Sequence, residues 1–129
     1  MMAGERILIV DDNATNLKLV AYLMKANGYV VDTALEAEAA LVAIARNHPD
    51  VILMDIQLPG IDGLELTRRL KADPATREIV IIAVTAYAMK GDQDKALAAG
   101  CDDYITKPID TRALPETIAG HLAKRAVVS

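Results

Sequence analysis

The chain has 129 residues, 53% of them apolar, a formal net charge of −4 and a pI near 5.1. That mild acidity disfavours nucleic acid and anionic membranes as partners, because both demand concentrated Lys and Arg. The single cysteine, Cys101, excludes an intrachain disulfide and a cysteine-built zinc cage, no apolar run approaches the ~20 residues of a membrane span, and a reducing cytoplasm is the expected compartment.

Five candidate strands follow in chain order: Ile7 to Val10, Tyr29 to Val31, Val51 to Met54, Ile79 to Val84, and the weaker Tyr104-Ile105. The first, third and fourth runs do not alternate apolar with polar residues. Strands covered on both faces read this way, as in a parallel sheet between helical layers. Helical patterns lie between and after them. Leu17, Val20, Ala21 and Met24 form one stripe, and Gly28 stands at the C′ position beyond it. Leu35 to Arg46 is rich in Ala, Glu and Leu and stops at His48-Pro49. Gly63 to Ala72 stops before Pro74, and Gly91 to Ala99 closes on Gly100. The last helix is expected to begin near Leu114, after an irregular turn from Asp110 to Ala113, because Pro115 is tolerated only in a first turn.

The pattern is β-α repeated five times. It predicts an α/β fold of doubly wound, flavodoxin-like (βα)5 type, with a five-stranded parallel sheet of order 2-1-3-4-5. One domain spans residues 1–129, with a core from about 6 to 123, and the short tails favour a stand-alone protein.

Polar residues collect where strands end. The first strand runs into Asp11-Asp12, the third into Asp55, the fourth into Thr85, and the fifth into Thr106-Lys107-Pro108. In order 2-1-3-4-5 these four strands are neighbours, and open α/β sheets bind ligands at the carboxyl ends of their strands. An Asp after a strand is usually a helix cap or a solvated loop residue. The joint pattern on adjacent strands is what points to a site.

Four stretches then carry a family resemblance: Ile7-Leu8-Ile9-Val10-Asp11-Asp12-Asn13, Leu53-Met54-Asp55-Ile56-Gln57-Leu58-Pro59, Ala83-Val84-Thr85-Ala86, and Tyr104-Ile105-Thr106-Lys107-Pro108. The chain resembles the receiver domains of two-component response regulators from about Arg6 to Ala123. The resemblance implies that Asp55 accepts a phosphoryl group from a phosphohistidine. It implies that Asp11, Asp12, Asp55 and the backbone carbonyl of Gln57 hold Mg²⁺, which Mn²⁺ can replace. Lys107 would pair with phosphate oxygens, aimed by a cis peptide bond to Pro108. Thr85 would be the switch hydroxyl and Tyr104 the aromatic that turns inward with it. Ala86 would leave a path to Asp55, and the bulky Tyr87 is expected to shield the phosphoryl group from water.

The implied partners are a histidine kinase or a histidine phosphotransfer protein upstream. Downstream, a protein target is expected on the face built by the fourth helix, fifth strand and fifth helix, with Ala88, Met89, Ala98, Tyr104 and Thr106 as contributors. The segment Asp12 to Leu17 resembles hybrid-kinase receivers and stand-alone, DivK-type regulators. His48 and His121 read as exposed, non-functional residues, and Cys101 as a half-buried thiol.

Several rivals fare worse. An aspartyl-phosphate hydrolase needs a second Asp two residues past the nucleophile, where Gln57 stands. A nucleotide-binding module needs glycines in the first βα turn, which reads Asp11-Asp12-Asn13-Ala14-Thr15-Asn16. A receiver excised from a hybrid kinase, or one that binds partners without phosphorylation, remains an alternative on sequence alone.

Overall fold

A computed structural model describes residues 4–56, 63–85, 90–107 and 109–128, with backbone alone at 90, 92 and 125–128. The elements are β1 (Arg6–Val10), α1 (Ala14–Ala26), β2 (Val30–Ala34), α2 (Ala37–Arg46), β3 (Val51–Asp55), α3 (Gly63–Ala72), β4 (Val80–Thr85), α4 (Lys90–Ala99), β5 (Asp103–Thr106) and α5 (Ala113–Val128). All four strand pairs are parallel, in the order β2-β1-β3-β4-β5. The expected doubly wound fold and strand order are what the chain adopts.

The non-alternating strands explain the two-sided core. Leu8, Val10, Ile52, Met54, Ile81 and Ala83 face one layer, completed by α2, α3 and α4 through Ala40, Ile44, Leu66, Leu70 and Ala96. Ile7, Ile9, Val51, Leu53, Ile82 and Val84 face the other, completed by Leu17, Val20 and Met24 of α1 and Leu114, Ile118 and Leu122 of α5. Every residue of β3 and β4 is buried. At roughly 1.5–3 kcal/mol for each fully buried aliphatic side chain, these central strands hold the sheet together.

Local signals set the ends. Asn13 caps α1 by accepting the Asn16 N–H at 3.0 Å. Gly28, at φ +90°, ends α1 in the left-handed region, and the Tyr29 N–H reaches back to the Met24 carbonyl. Gly100, at φ +108°, ends α4 the same way. Asp110 starts α5: its carboxylate accepts the Arg112 and Ala113 N–H groups, and its carbonyl accepts that of Leu114. Pro115 then falls in the first turn, where its missing donor costs nothing.

The bounds differ from expectation in places. The second strand covers Val30–Ala34; Tyr29 precedes it as a buried core residue. The second helix starts at Ala37, which leaves Leu35 outside it and exposed. The fifth helix continues to Val128, beyond the expected core limit at Ala123.

Candidate functional site

The carboxyl ends of β1, β3, β4 and β5 are fixed by backbone hydrogen bonds that continue past the strands. The Asp11 N–H bonds to the Ala34 carbonyl at 3.1 Å, Ile56 to Val84 at 3.1 Å, and Lys107 to Thr85 at 2.7 Å. Residues beyond the ladder therefore keep its alternation. Asp11, Asp55 and Lys107 share the parity of the α1/α5 face, with Ile9, Leu53 and Ile105 two residues before them. Thr85 and Tyr104 share the other parity, and Tyr104 packs against the α2/α3/α4 layer.

That parity brings one ammonium to two buried carboxylates. Lys107 Nζ lies 3.2 Å from Asp55 Oδ2 and 3.4 Å from Asp11 Oδ2. Both Asp11 and Asp55 are only 3% exposed, so their charges are poorly screened by water. Burial alone would lower the Lys107 pKa. The Asp55 and Asp11 carboxylates outweigh that and hold it above the ordinary lysine value. Asp12 is exposed and completes the cluster: Asp11, Asp12 and Asp55 each offer one oxygen within 4.8 Å of the others. Three hard oxygen donors in this spacing, with the Lys107 ammonium beside two of them, suit a divalent cation. Soft or thiolate-seeking metals find no ligand in this set.

Thr85 is fully buried at the end of β4, and Tyr104 is half-buried on β5. Of the expected output-face residues, Ala98 is exposed and Thr106 half-buried. Gln57, Ala86, Tyr87, Ala88, Met89 and Pro108 lie outside the described residues.

Two readings of other residues need correction. His121 is not an exposed bystander: its side chain is 17% exposed, and its Nε2 lies 2.8 Å from Asp103 Oδ2, tying α5 to β5. Cys101 is buried rather than half-buried, because the chain turns inward after Gly100. Burial pushes its thiol pKa up. His48 is exposed as expected, against the Ala75 carbonyl.

The structure also adds residues that sequence reasoning did not place at the site. Gly63, the first residue of α3, packs on the backbone of the acceptor strand. A Cβ there would collide with the Asp55 carbonyl oxygen and lie 2.7 Å from the Ile56 Cα. Asn13 and Asn16 both reach Asp11. The Asn13 N–H donates to Oδ1 at 2.9 Å, and the Asn16 side-chain amide donates to Oδ2. Their signal was an Asn at the cap and another one helical turn along.

Comparison with known proteins agrees with this geometry. Residues 7–119 match the response regulator receiver domain family. The polar-differentiation response regulator DivK of Brucella ovis is 47% identical over 116 residues, which cover 90% of this chain and 94% of that protein. Among solved structures, a CheY-like response regulator receiver domain protein from Methanospirillum hungatei superimposes with a TM-score of 0.90 at 32% identity, covering 98% of this chain and all of that one. The signal receiver domain of a signal transduction histidine kinase from Syntrophus aciditrophicus does so with a TM-score of 0.86 at 30% identity, covering 94% and 92%. The chain belongs to the response-regulator receiver family: it is a receiver domain of two-component signalling, a switch rather than a classical enzyme.

Proposed function

We propose that Asp55 is the phosphoryl acceptor of this receiver, in a Mg²⁺-dependent reaction that draws on a phosphohistidine. The observation that carries the reading is the buried Asp55 carboxylate, adjoined by Asp11, Asp12 and the Lys107 ammonium. An Asp55 carboxylate oxygen attacks phosphorus, the phosphorus–nitrogen bond to the donor imidazole breaks, and the electron pair stays on the imidazole nitrogen, which takes a proton. Asp11, Asp12, Asp55 and the Gln57 carbonyl would hold the cation. Bound there, Mg²⁺ neutralises the phosphoryl oxygens so that one anion can approach another. Lys107 leaves its carboxylate partners and pairs with a phosphoryl oxygen, a task that suits a compact charge on a flexible stem.

Thr85 and Tyr104 carry the signal onward. The Thr85 hydroxyl bonds a phosphoryl oxygen, and Tyr104 turns inward as β5 and α4 readjust. A charge-assisted hydrogen bond of about 1.5–3 kcal/mol is enough to shift a two-state equilibrium by one or two orders of magnitude. The upstream donor is a histidine kinase or phosphotransfer protein, and the downstream protein target binds the α4-β5-α5 face. The exposed Leu97 and Ala98 on α4 support that face as the docking surface. The domain works in the cytoplasm, across a core of about residues 6–123. Among the described residues no helix is long and apolar enough to cross a membrane.

Intact mass after incubation with Mg²⁺ and a phosphodonor tests the proposal. The parent is expected to gain one phosphoryl mass, and the Asp55→Asn variant none. No gain in the parent from acetyl phosphate or from a phosphorylated histidine-kinase module would overturn it.

A further inference from the structure

We infer that Asn16 is a positioning residue of the cation site, holding the Asp11 carboxylate in the orientation a divalent cation needs. The inference rests on the reading of Asp11, Asp12 and Asp55 as cation ligands. A carboxylate offers about four lone-pair directions, two on each oxygen. In Asp11 one direction on Oδ1 is filled by the Asn13 N–H at 2.9 Å, and one on Oδ2 by the Asn16 side-chain amide. Rotation of the carboxylate would break both bonds at once. The remaining directions are left to Lys107, 3.4 Å away, and to a cation.

Asn16 differs from Lys107 in two respects that matter here. Its amide is neutral, so it orients Asp11 without cancelling the charge that attracts the metal. It is also rigidly mounted: Asn16 lies in the first turn of α1, is half-buried, and donates its own N–H to Asn13 Oδ1 at 3.0 Å. Lys107 swings on a long stem and can be drawn away by an incoming cation or phosphoryl group. Asn16 stays. Outer-shell hydrogen bonds of this kind typically change metal affinity by about 10–100-fold when removed.

Capping and positioning use different atoms, so they can be separated. The helix cap needs the Asn16 backbone N–H and the Asn13 side chain. The clamp on Asp11 needs the Asn16 side chain. Asn16→Ala keeps the cap and loses the clamp. Asn13→Ala loses the cap and keeps both the Asn13 backbone donor and the clamp.

Calorimetric titration of the full chain with Mg²⁺, without any phosphodonor, is the test, paired with urea unfolding in chelator. Asn16→Ala is expected to bind Mg²⁺ about tenfold more weakly or worse, with a metal-free unfolding midpoint close to the parent's, because alanine's better helix propensity offsets the lost bond. Asn13→Ala is expected to do the reverse, unfolding earlier while binding Mg²⁺ nearly as the parent does. Equal affinity in Asn16→Ala and the parent would overturn the inference and leave the metal site standing. So would a loss of affinity in Asn16→Ala that only tracks a loss of stability. A parent that binds no Mg²⁺ would instead overturn the reading of the site and the inference with it.

Discussion

The two ends of the sheet handle charge in opposite ways. At the amino ends of the strands, ion pairs match acid to base. Arg6 pairs with Asp32 at 3.0 Å, while its backbone N–H bonds to Asp50. Lys71 pairs with Asp102 at 2.9 Å and also donates to the carbonyls of Arg77 and Ile79; Asp102 in turn accepts the Ile81 N–H. These charges finish the hydrogen bonding of turns. At the carboxyl ends, Asp11, Asp12 and Asp55 crowd within 4.8 Å, and Lys107 reaches two of them. Among the described residues the carboxylates there outnumber the ammonium, which suits a divalent cation. Acid and base are thus matched where turns are finished, and carboxylates are gathered where the proposed chemistry lies.

Substitutions at both ends can break this contrast. Lys71→Met should have the largest effect, lowering unfolding stability by about 3 kcal/mol, because it strips two carbonyls and a carboxylate of one donor. Mg²⁺ should leave the gap between parent and variant unchanged, because the intact cation site stabilises both alike, and a closed gap would erase the distinction. Gly63→Ala is expected to cost about 2 kcal/mol, since the new Cβ must push the Asp55 backbone aside. It should slow phosphoryl uptake as well, measured by mass against time.

Lys107→Met is expected to cost about 1 kcal/mol in chelator, discounted for its partial exposure. Here Mg²⁺ should restore most of the loss by taking over the neutralisation. The sign with pH follows from a lysine pKa raised on folding. The contribution is complete below the ordinary lysine value and disappears as pH rises through the elevated one. The parent-to-variant difference should therefore stay flat through neutral pH and shrink only in strong alkali. The last contrast concerns Cys101, at the other end of the sheet. Its buried thiol, with a pKa raised by desolvation, should alkylate at least about tenfold more slowly than in the unfolded chain at mildly alkaline pH. Mg²⁺ should leave that rate unchanged.

Much of this was legible in the sequence, for identifiable reasons. Uninterrupted apolar runs such as Val51 to Met54 and Ile79 to Val84 read as strands covered on both faces. Once the order 2-1-3-4-5 is fixed, the polar residues after them must meet at one edge. Asp11, Asp55 and Lys107 were readable for that reason, as was the cap-and-stop logic of Gly28 and Gly100. Other features depend on tertiary placement that local pattern does not encode. The bond from Asn16 to Asp11 depends on how the first turn of α1 docks against the end of β1. His121 finds Asp103 across 18 residues of chain because α5 lies along β5. The extension of α5 to Val128, past the expected core limit at Ala123, likewise has no marker in the local pattern.

If the carboxylates at the carboxyl edge are the cation site proposed above, a divalent cation must stabilise the fold through them. Urea unfolding of the parent with and without Mg²⁺, beside Asp12→Asn and Asp55→Asn, tests it most directly. Mg²⁺ at ten times its dissociation constant should stabilise the parent by about 1.4 kcal/mol and either variant by much less. A parent whose unfolding midpoint ignores Mg²⁺, or variants that respond as strongly as it does, would show that these carboxylates hold no cation.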